Sequence, residues 1–432
     1  MDYPEGFGGI AATLCLDHFT DEVLRELLRP EANEYECSYC QRKAGADNEP
    51  AFAVPMDLVG DRVWEAATWL YADPGFIEYF NGEPWSEEAL FEHNEVLYDI
   101  LGDAVDEVVV DDVIESLRDA SSDREYWVSN DKVSQFALGW GAFERTVRTE
   151  SRFIFIGSSA RPGYEDEPPA RLAKFLKALL TYVESDLLVE LPTGSKLFRG
   201  RMTDALDRLR SDIEAEPSSQ LGPAPSHLAD AGRLNGKGIG VFYAADEIDT
   251  AVGEIALHSP YDEAIIGGFV TKRPLQILDF TRKLTTLPSI FASDEESRTR
   301  WLFARFATHF TARITAPVLL DGRQLVDYTP TQVVAEYLRY VPETRIDGIA
   351  WPSRVKAGNG KNVVLFLGPG ADFRTDPPTE AELNRVGGTK LPTLTLSRDD
   401  LTEHRVKRRV KVKRLRRPEP GEVDDQPYFM HF

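Results

Sequence analysis

The 432 residues hold three cysteines, and all of them fall in one short motif: Cys15-x2-His18, an interval of 18 residues, then Cys37-x2-Cys40. A two-residue spacing lets each pair close on one ion from a tight knuckle. Four soft or borderline ligands in a tetrahedral array suit Zn2+. Four protein ligands leave no open coordination position, so the expected zinc stabilises the fold and does not catalyse. The plainer alternative is a free thiol pair, Cys37 and Cys40, with His18 unrelated to it. Three cysteines cannot build a disulfide framework, and such usage points to a reducing cytoplasm.

A second set of chemistry-bearing residues surrounds the stretch GRLNGKGIGVFYAADEIDTAVGEI, Gly232–Ile255. Glycines at every second position, Gly236, Gly238 and Gly240, lead into an apolar strand and then a short helix. Asp246 is placed to cap that helix, with Asp249 favouring its N-terminus. Ile248, Ala251, Val252 and Ile255 form the expected apolar stripe, and Glu254 lies at its border. Local pattern alone assigns these residues ordinary roles: Glu254 solvated, Tyr243 packed, Arg233 at the surface. Upstream, LFRGR ends an apolar strand on Arg199. Downstream, IDGIAWPSRVKAGNGKNVVLF places Ser353 just after a strand. The glycines do not follow GxGxxG, and neither a P-loop nor HExxH occurs, so no redox dinucleotide site is expected.

The elements that must carry these residues change texture along the chain. Residues 1–45 are short, polar and hold the metal motif. Residues 46–190 read as a helical bundle, with apolar positions such as Leu58, Val59, Val63, Ala66, Ala67 and Leu70 at helical spacing. Residues 195–417 alternate strands and helices and read as an α+β domain, and 418–432 form a tail. The loop Pro217–Ser226 is expected to be flexible. At 42% hydrophobic residues the composition is globular, and length allows two or three domains. No apolar run reaches membrane-spanning length and the N-terminus lacks a signal-peptide pattern. A net charge of −23 repels nucleic acid in general. The exception is HRVKRRVKVKRLRR, His404–Arg417, with nine Lys or Arg and no acid. Its valines Val406, Val410 and Val412 point to a strand with one buried face, either a charged edge strand or a contact for an anion or acidic partner.

The order of Arg199, the GRLNGKGIGVFY segment, Glu254 and Ser353 resembles the RES family, named for its arginine, glutamate and serine, over about Lys196–Arg416. Its members include the toxins of Xre–RES toxin–antitoxin pairs. The N-terminal half resembles the HEPN-related, zinc-knuckle-bearing helical domain that precedes RES in some bacterial proteins. Active HEPN ribonucleases pair an arginine and a histidine on one helix; here no histidine lies between His93 and His227, which argues against RNA cleavage by this half. The resemblance implies an ADP-ribosyltransferase-like fold and action on NAD+ as substrate. It implies that Arg199 and Arg233 hold the phosphates and that Tyr243 packs on the nicotinamide or its ribose. It further implies that Glu254 sits near that ribose and that Ser353 positions the ligand by hydrogen bonding. The expected activity is cleavage of the nicotinamide–ribose bond by a toxin or defence effector, with water, phosphate or a macromolecule as acceptor. Two alternatives stay open: an ADP-ribosyltransferase acting on a protein or nucleic acid, and a non-catalytic nucleotide-sensing module. An antitoxin or regulatory protein and a second copy of the chain are the expected partners.

Overall fold

A computed structural model describes residues 11–45, 49–73, 90–102, 104–118, 126–129, 139–152, 168–257, 259–282, 288–316, 324–355, 360–368 and 392–407. In chain order the elements begin with β1 (Thr13–Cys15), α1 (Glu22–Leu28), β2 (Ala53–Pro55), α2 (Met56–Leu70), β3 (Tyr71–Ala72) and β4 (Phe91–Glu92). They continue with α3 (His93–Leu101), α4 (Glu107–Arg118), β5 (Tyr126–Ser129), α5 (Gly139–Thr149), α6 (Pro168–Tyr182), β6 (Leu188–Leu191) and β7 (Lys196–Thr203). Then come α7 (Leu206–Ala215), α8 (Pro217–Leu221), β8 (Phe242–Ala245), α9 (Ile248–Leu257), β9 (Glu263–Thr271) and β10 (Leu275–Asp279). The last are α10 (Glu295–Thr315), α11 (Gln324–Asp327), α12 (Thr329–Tyr340), β11 (Gly348–Pro352), β12 (Lys361–Leu365) and β13 (Leu394–Arg405). Two compact units emerge. One comprises 1–142, 162–182 and 284–309; the other comprises 143–161, 183–283 and 310–432.

The first unit is a helical core with two small sheets, β1–β2 and β3–β5–β4. Helix α2 shows why it forms: Val59, Val63, Ala66, Ala67 and Leu70 recur at helical spacing and are all buried. Val59, Val63 and Leu70 each contribute roughly 1.5–3 kcal/mol when taken from water, and the alanines less. Asp21 caps α1, its carboxylate accepting the Leu24 N–H at 2.9 Å. Val96, Leu97, Val109, Val113 and Trp127 join the same core, as do Ile290, Phe291 and Leu302 from much later in the chain. The described residues contain no helix long and apolar enough to cross a membrane.

The second unit is built on one eight-stranded sheet in the order β13-β9-β7-β8-β12-β11-β10-β6. Its pairs are antiparallel except β10–β11. Register sorts the side chains. Ala350, Val363, Leu365 and Phe242 fall on the core face with Leu209, Ile213 and Leu221 of α7 and α8. Because strand side chains alternate, Trp351, Asn362 and Tyr243 fall on the opposite face. The sheet has one weak seam: β7 pairs with β9 over eight residues but with β8 only at Phe198–Ala245.

Several sequence expectations are modified. Residues 188–190, read with the helical half, begin the edge strand β6 against β10. Among the described residues the span 46–190 also holds the four short strands β2 to β5, and 284–309 group with the first unit although read as part of the α+β half. Residues 217–221 of the expected flexible loop form α8. Among the described residues the charged edge strand runs from Leu394 to Arg405 and meets the expected segment only at His404 and Arg405. Val406 lies just past its end, its N–H bonded to Asp262 O, and Val410, Val412 and the 418–432 tail lie outside the described residues.

Candidate functional site

The metal motif closes as the spacing predicts. Ligand atoms of Cys15, His18, Cys37 and Cys40 all lie within 4.8 Å of one another. Cys15 Sγ and Cys40 Sγ are 3.6 Å apart, close to the ~3.8 Å edge of a tetrahedron built on Zn–S bonds of about 2.3 Å. Strand β1 presents Cys15. The short helical turn after it presents His18, and a knuckle closed by Cys37 N–H to Arg42 O (2.9 Å) presents the other pair, with Gln41 in the left-handed region at φ 58°.

His18 supplies a sharper test of fit. Its Nδ1 is 2.7 Å from Asp106 Oδ2, while its buried Nε2 has no hydrogen-bond partner among the described residues. A carboxylate that fixes one ring nitrogen and aims the other at an ion is the arrangement metal-bound histidines adopt. Burial alone would push His18 down, but Asp106 and the Cys40 and Cys37 sulfurs raise it overall. Burial lifts Cys15 to about 12. Burial also acts upward on Cys37, yet backbone N–H donors from Cys40, Cys15 and Tyr39 bring it down to about 6, toward thiolate. The donor set fits zinc, and the ion would tie two neighbouring segments together with no vacant position for substrate.

The second site lies at the seam of the large sheet. A cavity of about 590 Å³ opens there, within the usual size range of small-molecule sites. Its lining includes Arg199 on β7, Arg233 in the loop before β8, Tyr243 on β8 and Glu254 on α9. Trp351 and Asn362 are also among its lining residues. Arg199, four of whose N–H donors remain beyond one bond, spans the seam: Nη1 donates to Tyr243 O at 2.9 Å, and the guanidinium lies 5.3 Å from the Phe242 ring centroid. Burial brings it down to about 10, so it stays cationic at neutral pH.

Tyr243 holds the neighbouring loop. Its hydroxyl donates to Asn235 Oδ1 (2.9 Å) and accepts the Leu234 N–H (3.1 Å). Asn235 donates in turn to Asp230 O and Ile239 O, and Gln332 of α12 donates to Gly232 O and Asn235 O. Gly232 is required here, because a Cβ would stand 2.5 Å from Asn235 Oδ1 and 2.8 Å from Tyr243 Oη. The network presents Arg233, whose Nη1 donates to Ala316 O. Burial pushes the Tyr243 phenol up, so it remains a neutral donor.

Glu254 faces the cavity rather than solvent. Helix α9 buries Thr250, Ala251 and Ala256, while Ile255 of the expected apolar stripe lines the cavity beside Glu254. Glu254 Oε1 accepts from Ser353 Oγ (2.7 Å) and from Asn362 Nδ2 (2.6 Å). Ser353 itself is not in the cavity lining; its hydroxyl is directed at Glu254 and also accepts the Val355 N–H at 3.1 Å. Asp246, expected as a helix cap, instead accepts the Lys361 N–H at 2.7 Å and ties α9 to β12.

The structure thus brings Arg199, Arg233, Tyr243, Glu254 and Ser353, spread from position 199 to 353, into one neighbourhood. Local pattern did not single out Asn235, Gln332, Tyr328, Trp351 or Asn362. An Asn and a Gln that serve a loop carry no periodic signal, and Asn362 became visible only when β12 paired with β8.

A family model for the RES domain matches residues 205–384, and one for HEPN/RES N-terminal domain 1 matches residues 30–161. The chain is a RES-domain protein with a HEPN/RES N-terminal domain. Arg233, Tyr243, Glu254 and Ser353 lie inside the matched RES span, and Arg199 just before it. Cys37 and Cys40 lie inside the HEPN/RES span, with Cys15 and His18 ahead of it. Comparison with curated proteins and with solved structures found no match for the chain.

Proposed function

We propose that the RES domain binds NAD+ in the seam cavity and cleaves its nicotinamide–ribose bond, on an ADP-ribosyltransferase-like fold, as a toxin or defence effector. RES domains are associated with toxins that act on NAD, and the observation that carries the reading here is a fixed carboxylate, Glu254, in a cavity whose other charged lining groups are Arg199, Arg233 and Arg354. That pattern suits a ligand with anionic phosphates at one end and a cation at the other. Guanidinium forks bind phosphate oxygens with charge-assisted bonds. The nicotinamide riboside carries the positive charge that a carboxylate attracts.

The chemistry follows from those placements. The C1′–N1 bond breaks with its electron pair passing to nicotinamide, which leaves neutral and needs no acid. Positive charge grows on the ribose, and Glu254 stabilises it as it develops. A nucleophile then bonds to C1′ and gives up its proton. Tyr243 and Trp351 supply aromatic walls, Arg199 and Arg233 hold phosphates, and Ser353 orients Glu254. Zinc, held by Cys15, His18, Cys37 and Cys40, has a structural role in this reading. An antitoxin or regulatory protein would be the cellular partner. Incubating the purified full chain with NAD+, with and without inorganic phosphate, tests the proposal. Release of nicotinamide with free ADP-ribose or its phosphate supports it. Label fixed on a macromolecule would mean ADP-ribosyl transfer, and intact NAD+ would overturn it.

A further inference from the structure

Glu254 is gripped unequally. Ser353 Oγ and Asn362 Nδ2 both donate to Oε1, and among the described residues Oε2 accepts no hydrogen bond. A carboxylate only accepts, so the Asn362 side chain must present its amide nitrogen. The two donors arrive from different directions in the fold. Ser353 follows β11, where Ser353 N–H bonds to Gly360 O at 3.3 Å, and Asn362 sits on β12 opposite Ala245 of β8. Asn362 therefore rests on a paired strand in the middle of the sheet, whereas Ser353 rests on a segment at the strand end. A side chain on rigid, paired backbone holds its target more accurately than one on a loop.

We propose that Asn362 is the main positioning residue for Glu254. Together with Ser353 it fixes Oε1, leaving Oε2 to face the ligand. This rests on the reading of Glu254 as the group that stabilises the ribose cation, but it concerns how that carboxylate is oriented. Asn362 also lines the cavity, so a direct contact with ligand through Oδ1 is the competing role. The other charged or titratable groups lining the cavity are Arg199 on β7, Arg233 on the loop before β8, Tyr243 on β8, Tyr328 before α12 and Arg354 after β11. None of these donates to Glu254, so loss of Asn362 leaves Ser353 as its remaining donor among the described residues.

The test uses the full chain with Asn362→Ala, the isosteric Asn362→Asp, Ser353→Ala and Glu254→Gln, each checked for folding by its melting transition. Asn362→Ala should lower kcat for NAD+ about ten- to a hundredfold with KM little changed, the size of one hydrogen bond to a charged group. Asn362→Asp should cost kcat at least as much, because an aspartate carboxylate cannot donate to Oε1 and repels it. In a Glu254→Gln background, Asn362→Ala should have almost no additional effect. A rise in KM with kcat unchanged, or a full loss that persists in the Glu254→Gln background, would show that Asn362 touches the ligand and would overturn the proposal. A second arm is independent of NAD+: crystal structures should show the Glu254 carboxylate in one orientation in wild type and displaced from it in Asn362→Ala. An unchanged Glu254 orientation sinks the positioning role even if NAD+ is consumed. Intact NAD+ with a displaced Glu254 sinks the proposed substrate and leaves the positioning role standing.

Discussion

The metal knuckle and the seam cavity differ in how the chain assembles them. Four ligands from positions 15 to 40 make the knuckle, two from each of two tight turns, and each ligand type has few other uses in a short polar segment. The cavity needs a strand at 199, a loop at 233, a strand and helix at 243–254 and the two strand ends at 351–362. None of its residue types is rare. A site made locally from uncommon ligands depends on the ion for its stability, whereas one assembled over long range depends on the sheet that brings its parts together. That contrast can be broken experimentally in either direction.

The largest expected effect is on the knuckle. Structural zinc in small peptides is held by apparent free energies on the order of 10–16 kcal/mol, most of which is folding free energy. Cys37→Ser, or chelation, should take metal content from about one Zn2+ per chain toward none and unfold the segment around Cys15 and Cys40. Metal analysis and hydrogen exchange over residues 11–45 read the result. NAD+ consumption should survive, because the sheet core of Leu197, Phe269 and Val363 contains no knuckle residue. Metal-free protein of unchanged stability would remove the zinc from the fold. Simultaneous loss of activity would erase the contrast between the sites.

Next comes Glu254→Gln, which keeps shape and both donor contacts possible but removes the charge. Interactions stronger in the transition state than in the bound substrate act on kcat. Turnover of NAD+ should fall at least about a hundredfold, the loss typical of one well-placed electrostatic group, with binding retained. Near-normal turnover by the folded variant would falsify the electrostatic role and return Glu254 to the solvated border residue that its helical position alone describes.

How much of this was legible in the sequence follows the same divide. The knuckle was readable from spacing, because zinc geometry is imposed over a few bonds. Strands β7, β8 and β12 and helices α10 and α12 were readable from apolar runs and periodicity, as local signals ought to be. Strand β13 was not: its Leu394–Leu396 portion is buried but Ser397–Asp400 is polar, with a register shift between Leu396 and Leu401, so no alternation survives. Glu254 and Ser353 entered as members of one site through the resemblance, not through pattern. Their hydrogen bond and the convergence of Asn362 depend on the pairing of β12 with β8, which no local window contains.

Arg199 tests whether the assembled site binds through its arginines. Arg199→Ala removes a guanidinium that has one backbone carbonyl partner, Tyr243 O, and remaining donors for a ligand. Affinity for NAD+ measured calorimetrically should fall about ten- to a hundredfold, the range for a hydrogen bond to a charged group. Arg199→Lys should recover only part of it, since an ammonium cannot make the forked contact. Unchanged affinity would take Arg199 out of the binding site and leave it as a clamp on β8.

The smallest expected effect separates the ring of Tyr243 from its hydroxyl. The hydroxyl makes two bonds, one to Asn235 Oδ1 and one from Leu234 N–H, and both partners belong to the loop that carries Arg233. Tyr243→Phe keeps the aromatic wall at 6.4 Å from the Trp351 ring but leaves those two groups unpaired. An unsatisfied buried polar group costs roughly 1–3 kcal/mol, tempered here because Asn235 and Gln332 still hold the loop backbone. The variant should therefore melt a few degrees lower, bind NAD+ only modestly more weakly through a looser Arg233, and keep the pH profile of kcat unchanged. A hydroxyl that donated or accepted a proton during bond cleavage would do the reverse, leaving stability alone and altering kcat and its basic limb. Burial already pushes this phenol upward and its lone bond donation is committed to Asn235, so the loop-holding outcome is the one the geometry favours.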